Sequence, residues 1–225
     1  MKIIAIGGGG FTHETFPELD DFCLQQTGRR RPRIAYIGTA SRDNATKIAR
    51  FKSRFADVSE AQIHLPMSLT ATDLARRLDD FDLIYVGGGN TEAMVNTWRA
   101  NEWDRVLGDA CRSGVALAGV SAGAVCWFDA FLFSSGQGPM RPLDGLGLIP
   151  MGACPHYSTE TDRRAALHKA VAAGDMPTTL AIDDGVAVAF DNAHPVAICS
   201  AVPGAGAYCV SQTATGTTET PLSLV

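Results

Sequence analysis

The sequence has no apolar run approaching the ~20 residues that a membrane-crossing helix requires. The stretch Ile3 to Ile6 is also too short for the apolar core of a secretion signal, and glycines follow it at once. A cytoplasmic protein that does not enter a membrane is the expectation. Positive charge is in deficit: 19 Lys and Arg stand against 24 Asp and Glu, for a net charge of −5. That balance argues against general nucleic-acid binding, which needs a clustered basic face. The one dense basic run, Arg29-Arg30-Arg31 with Arg33, reads as a solvated loop. None of the six cysteines forms a CxxC pair, and most have apolar neighbours. Buried free thiols are therefore expected, and neither a disulfide framework nor a metal site. Linkers, repeats and low-complexity blocks are missing too, so the 225 residues read as one domain, 1–225.

What is there suits a packed core, since hydrophobic residues make up 46% of the chain and charged residues 19%. Short apolar runs at Lys2–Ile6, Arg33–Ile37, Ala61–Leu65, Leu83–Val86 and Val115–Gly119 read as strands. Helical patterns separate them, at Ala45–Phe55, at Thr72–Leu78 with Thr72 as its cap, and over Glu92–Arg112. This alternation predicts an α/β fold, a mostly parallel sheet with helices on both faces. After a further helix over Thr161–Ala173 come candidate strands at Thr179–Ile182, Val186–Phe190, Pro195–Cys199 and Ala207–Val210. They are expected to finish the sheet as antiparallel edge strands. The Thr-rich tail from Thr213 to Leu224 reads as an edge strand or a frayed end.

Parallel sheets carry their sites where strands lead into helix N-termini. Three glycine turns fall at such places. Gly7-Gly8-Gly9-Gly10 has neither the GxGxxG spacing of a dinucleotide site nor the Lys-Ser/Thr of a P-loop, and reads as a tight turn bordering the cleft. Gly87-Gly88-Gly89-Asn90-Thr91 can present bare N–H groups to an anion or oxyanion, with Asn90 or Thr91 as helix cap. It can also be a plain strand-to-helix turn. Gly119-Val120-Ser121-Ala122-Gly123 is GxSxG between a strand and a helix pattern, the layout of a nucleophile elbow. Small neighbours let the strained turn form, and the N–H after the serine can meet an oxyanion.

A nucleophilic serine needs a base, and the base needs an acid. Of five histidines, His64 reads as structural, His168 as exposed on a helix, and His194 as part of a turn between edge strands. His13 can border the cleft. His156, in a loop after an apolar run, is the best base. Asp183, Asp184, Asp129 and Asp144 are candidate acids, each of which can equally be a turn residue.

Together, Gly87–Thr91, the Gly119–Ala124 elbow, Leu146-Gly147-Leu148 and Pro155-His156-Tyr157 resemble the peptidase E group, the S51 serine peptidases that include aspartyl dipeptidases and cyanophycinases. The likeness runs from the first strand to about residue 190. It implies a fold like class I glutamine amidotransferases, with Ser121 as nucleophile, His156 as general base, and Gly88, Gly89 and Ala122 as the oxyanion hole. The dipeptidase branch has an aspartate where this chain reads Ser134-Ser135-Gly136. By likeness to the cyanophycinase branch, the acid is Asp184, with Asp183 and Asp129 in reserve. Arg163 or Arg164 matches the arginine that holds a substrate aspartate, and Arg163 with Asn90 is expected to bind substrate. The implied activity is hydrolysis of small peptides, with those bearing an N-terminal aspartate as candidate substrates, without metal or organic cofactor. A homodimer is expected on family grounds only. Two rivals stand beside this. An α/β-hydrolase esterase would use Ser121, then Asp175 or Asp184, then His194. A non-catalytic sensor or binding protein of the amidotransferase fold would use none of them.

Overall fold

A computed structural model describes residues 1–223. The chain runs β1 (Lys2–Ile6), α1 (Pro17–Gln26), β2 (Arg33–Ile37), α2 (Ala45–Phe55), β3 (Ala61–His64), α3 (Ala71–Leu78), β4 (Leu83–Val86), α4 (Thr91–Ala100), α5 (Trp103–Arg112), β5 (Ala116–Val120) and the short α6 (Ala122–Val125). It continues through β6 (Phe128–Phe133), β7 (Arg141–Asp144), β8 (Ile149–Cys154), α7 (Arg163–Ala173), β9 (Thr179–Ile182), β10 (Val186–Asp191), β11 (His194–Ser200), β12 (Ala207–Thr213) and β13 (Gly216–Pro221).

Seven strands form one sheet in the order β11-β10-β1-β5-β4-β2-β3. The five from β1 to β3 are parallel, and β10 and β11 close one edge antiparallel. Alternate residues of the parallel strands enter opposite cores. Ile4, Ile6, Ile34, Tyr36, Leu83 and Tyr85 pack with Leu19 and Phe22 of α1 and Phe51 and Phe55 of α2. Ile3, Ala5, Ile37, Ile84, Val86 and Leu117 pack with Leu74 of α3, Trp98 of α4 and Trp103 of α5. Because both faces of β1, β2, β4 and β5 are covered, these strands are largely apolar and stand out in the sequence, whereas the edge strand β3 is half-buried and carries Gln62 and His64.

A second sheet, order β13-β12-β9-β8-β6-β7, departs from expectation. Thr179–Ile182 and Ala207–Val210, expected at the edge of the main sheet, belong to it. Its inner side joins the second of the two cores through Phe128, Phe131, Ile149, Leu180 and Ile182. Its outer side packs Leu132, Cys154, Ala181 and Val210 on Leu167 and Val171 of α7. Strands β6, β7 and β8 escape a pattern search for a physical reason. Pro142, Pro150 and Gly152 interrupt the apolar alternation, and the β6–β8 register shifts between Phe128 and Ala130.

The span 92–112 is two helices, broken where Glu102 takes a left-handed backbone, φ 59°. The cap of α3 is Thr70, whose Oγ1 accepts from Asp73 N at 3.1 Å. The tail from 213 forms the edge strand β13, while Leu224 lies outside the described residues. No helix among the described residues is long and apolar enough to cross a membrane.

Candidate active site

Ser121 follows the last residue of β5, the strand between β1 and β4 in the main sheet. Its backbone sits at φ 54°, ψ −113°, a strained conformation for a residue with a side chain. The surroundings enforce it. Ser121 N donates to Ile6 O at 2.9 Å, and Ser121 O accepts from Ala124 N and Val125 N, so the chain turns from strand to helix within one residue. A Cβ on Gly119 would lie 2.1 Å from Gly123 O, and one on Gly123 would lie 2.2 Å from Val86 O. Both flanking glycines of the GxSxG pattern are therefore steric necessities.

His156 comes from the second sheet, two residues past β8, and also has positive φ, 52°. Its Nε2 lies 2.8 Å from Ser121 Oγ and its Nδ1 2.6 Å from Asp184 Oδ1. Asp184 lies two residues past β9. Burial alone would raise its pKa, but hydrogen bonds and charge from His156, with help from Thr159 and His13, outweigh burial and hold the carboxyl below its ordinary value. An ionised carboxylate only accepts hydrogen bonds, so Nδ1 carries the proton and Nε2 is left to accept from the serine hydroxyl. The hydrogen-bond chain Ser121–His156–Asp184 is thus arranged for proton removal from Oγ.

Thr159 and Gly8 complete the acid's surroundings; Gly8 belongs to the first glycine turn, whereas Thr159 was not singled out by sequence. Thr159 Oγ1 donates to Asp184 Oδ2 at 2.9 Å. Gly185 N donates to Gly8 O at 2.8 Å, and a Cβ on Gly8 would lie 1.9 Å from Asp184 Oδ1 and 2.8 Å from His156 Nδ1. The first glycine turn borders the cleft as expected, by pressing on the histidine–aspartate pair. The signal was its place after β1, whereas nothing local marks Thr159.

The other candidates part from this centre. Asp183 is buried and accepts from Gly206 N at 2.9 Å and from the Ser158 hydroxyl, so it pins a loop. Asp129 and Asp144 are exposed on β6 and β7. His13 edges the site, its ring centroid 6.4 Å from that of His156. His64 pairs with Asp43 at 3.1 Å. His194 opens β11 opposite Asp191, so the order serine, acid, histidine does not arise. His168 is half-buried against Glu219 and Thr217 rather than exposed, because β13 folds over α7. Cys126, near the elbow, is buried in α6's wake, and burial pushes its thiol well above the usual range.

The cleft over Ser121 has a volume of about 320 Å³. Thr91, Phe133, Ser134, Glu160 and Arg163 line it together with His156. Arg163 is buried, its Nη1 donating to Leu132 O at 3.2 Å and its Nε to Glu160 Oε2 at 2.9 Å. Arg164 instead faces outward, paired with Glu219 and lying over the Tyr157 ring. Of the two arginines, Arg163 lines the cleft and Arg164 does not. Glu160, three residues before it, was not singled out. On the opposite wall Gly88 sits close enough to the serine that a Cβ there would lie 3.3 Å from Ser121 Cβ. Gly89 has φ 153° and lines the cleft. Asn90 caps α4, its Oδ1 accepting from Ala93 N at 2.8 Å, so its carboxamide oxygen is taken.

The model of Peptidase family S51 matches residues 3–198. A Bacillus subtilis protein named as an uncharacterized peptidase, YgaJ, is 38% identical over 225 residues, 98% of this chain and 96% of its own length. Peptidase E of Streptomyces coelicolor is 29% identical over 127 residues, covering 56% of this chain and 51% of that one. In fold, the chain resembles the crystal structure of a peptidase from an acI-B1 actinobacterium, with a TM-score of 0.71 and 18% identity over 99% of this chain and 94% of that one. It also resembles a putative peptidase E protein from Listeria monocytogenes, with a TM-score of 0.63 and 16% identity over 99% and 98% of the two chains.

Proposed function

The chain belongs to peptidase family S51, and on that premise we propose that it hydrolyses small peptides by a serine mechanism. Ser121 attacks the peptide carbonyl while His156 takes its proton through Nε2. Asp184 holds the imidazole in the required tautomer and stabilises the imidazolium. The N–H groups of Gly88, Gly89 and Ala122 receive the oxyanion of the tetrahedral intermediate. His156 then protonates the leaving amine, and water hydrolyses the acyl-enzyme to regenerate the serine. The observation that carries this reading is the unbroken hydrogen-bond chain Ser121–His156–Asp184 starting from a strained elbow.

The cleft favours small substrates. Its volume of about 320 Å³ is at the low end for ligand sites, which run from roughly 300 to 1,000 Å³. Arg163 supplies the cleft's guanidinium, as a preference for N-terminal aspartate would need. Glu160 now occupies that fork, so an acidic side chain must displace Glu160 to reach it. Glu160 Oε1, which has no hydrogen-bond partner among the described residues, is in turn available to a substrate ammonium. Asn90 serves the site by fixing the start of α4 behind the glycine turn.

The test is hydrolysis of a panel of Asp-X, isoAsp-X, Glu-X and neutral dipeptides, followed without a label, with Ser121→Ala as control. Turnover is expected in the wild type and a loss of at least ~10⁴-fold in the variant, with its thermal midpoint unchanged. Turnover that survives in Ser121→Ala, purified free of host peptidases, would sink the assignment.

A further inference from the structure

Lys47 lies in the first turn of α2, far from the elbow in sequence, yet its Nζ donates to the carbonyl oxygen of Gly88 at 2.9 Å. The ammonium is half-buried and forms no ion pair with a carboxylate among the described residues. Burial and the neighbouring Arg50 guanidinium hold its pKa below the ordinary lysine value. A lysine seldom gives up water for a lone backbone carbonyl, so the placement calls for an explanation.

The turn it grips is fastened on both sides. Gly87 N donates to Ile37 O at 3.0 Å and Asn90 N to Ala40 O at 2.9 Å. Between those anchors lies the Gly88–Gly89 peptide, which rests against Ser121 and has no side chain to hold it. A planar trans peptide points its N–H opposite to its C=O. With the Gly88 carbonyl turned to Lys47, the Gly89 N–H faces away from α2, on the side where Gly89 lines the cleft with Ser121. A cation on the carbonyl also polarises the peptide, which strengthens its N–H as a donor.

We infer that Lys47 is a positioning residue for catalysis, one that aims and polarises the Gly88–Gly89 peptide as an oxyanion donor from behind. The inference rests on the serine-peptidase reading given above and adds to it a residue outside the cleft. Lys47 touches no substrate. It acts only through the peptide it holds, so its effect belongs to the anionic transition state and not to substrate affinity.

Diisopropyl fluorophosphate tests this without knowledge of the natural substrate. Ser121 Oγ bonds to phosphorus, the P–F bond breaks, fluoride departs, and the hydroxyl proton passes to His156. The phosphoryl oxygen gains negative charge on the way, as a peptide carbonyl would. The second-order labelling rate, read by intact mass, is expected to fall about tenfold or more in Lys47→Met. Lys47→Arg, which keeps both charge and donor, should stay within about threefold of wild type. Lys52→Met, which removes an exposed charge from the same helix, should label at the wild-type rate. If Lys47→Met loses its fold, Lys47→Gln carries the same expectation. Wild-type labelling in folded Lys47→Met would overturn the inference, as would equal slowing in the Met and Arg variants. Failure of the serine reading is a separate result, visible in the wild type alone: folded protein whose Ser121 takes no label.

Discussion

Two hollows of this molecule make an instructive pair. The larger, about 480 Å³, lies between α1 and α2 and is walled by Phe11, Pro17, Asp20, Arg50 and Arg54. The smaller, about 320 Å³, lies over Ser121. In the larger, the charges are already matched. Arg54 pairs with Asp20 and Asp21, Arg50 pairs with Glu14, and Asp20 also accepts from Tyr85 OH at 3.2 Å. In the smaller, Ser121 holds a backbone of φ 54° and ψ −113°, outside the left-handed helical region, and the chain of hydrogen bonds ends on a hydroxyl poised to lose its proton. Their carboxylates shift in opposite directions. Asp20 is raised by burial despite Arg54, while Asp184 is lowered by its partners despite burial. Volume therefore does not decide between them. The disallowed turn at Ser121 and the unfinished proton relay set the smaller one apart.

The sharpest way to break the comparison is through the adjacent aspartates. Asp184→Asn replaces the acceptor that fixes Nδ1–H, so the imidazole turns to the wrong tautomer. A fall in kcat on the order of 10⁴-fold is expected, on the pattern of serine triads generally. Asp183→Asn should leave the rate of folded protein within a few-fold and cost about 1–3 kcal/mol of stability, through weakened bonds to Gly206 N and Ser158. Steady-state kinetics and denaturant unfolding on both variants decide it. The reverse pattern would move the acid to Asp183.

A smaller perturbation reaches the same pair from the main sheet. Gly8→Ala would place its Cβ 1.9 Å from Asp184 Oδ1, so the aspartate and His156 must shift. Misalignment of this size is expected to slow Ser121 phosphorylation by diisopropyl fluorophosphate about 10²-fold. The thermal midpoint should move much less than the rate. A variant that labels at the wild-type rate would show that the pair tolerates displacement, contrary to the tight geometry at Gly8.

The two sheets also differ in how openly the sequence displays them. Four of the five parallel strands are legible because burial on both faces leaves each an apolar run, as in Ile3–Ile6 and Leu83–Val86, while the edge strand β3 is half-buried and mixed in character. Ser121 is legible because its strained turn demands small residues at fixed offsets, a local requirement written in Gly119 and Gly123. The second sheet is not, since Pro142, Pro150 and Gly152 break its pattern. His156 and Asp184 follow strands of that sheet, so the sequence offers His156 as base and Asp184 as acid with Asp183 and Asp129 still in reserve. It cannot say which aspartate turns inward, because alternation at a strand end depends on the partner chain segment, here Gly8 and Gly206. Lys47, Thr159 and Glu160 make contacts with this site that no spacing records.

The least of the expected effects tests the larger hollow. The Asp20 carboxyl, almost wholly out of solvent, has its pKa raised from 3.8 to about 6. A group whose folded value lies above its unfolded value binds its proton more tightly in the folded state. Its contribution to stability is complete below about pH 4 and is lost as pH rises through about 6. The shift of roughly two units corresponds to ~3 kcal/mol at most, at ~1.4 kcal/mol per unit. Asp20→Asn removes this titration, while Arg54 stays charged throughout and every other group titrates alike in both proteins. The stability of wild type relative to Asp20→Asn should therefore decline by ~2–3 kcal/mol between pH 4 and pH 7, as read from urea unfolding at several pH values. A difference that stays level over that range would mean that Arg54 and Tyr85 solvate the buried carboxylate fully, and the contrast between the two hollows would then rest on the Ser121 turn and its hydrogen-bond relay.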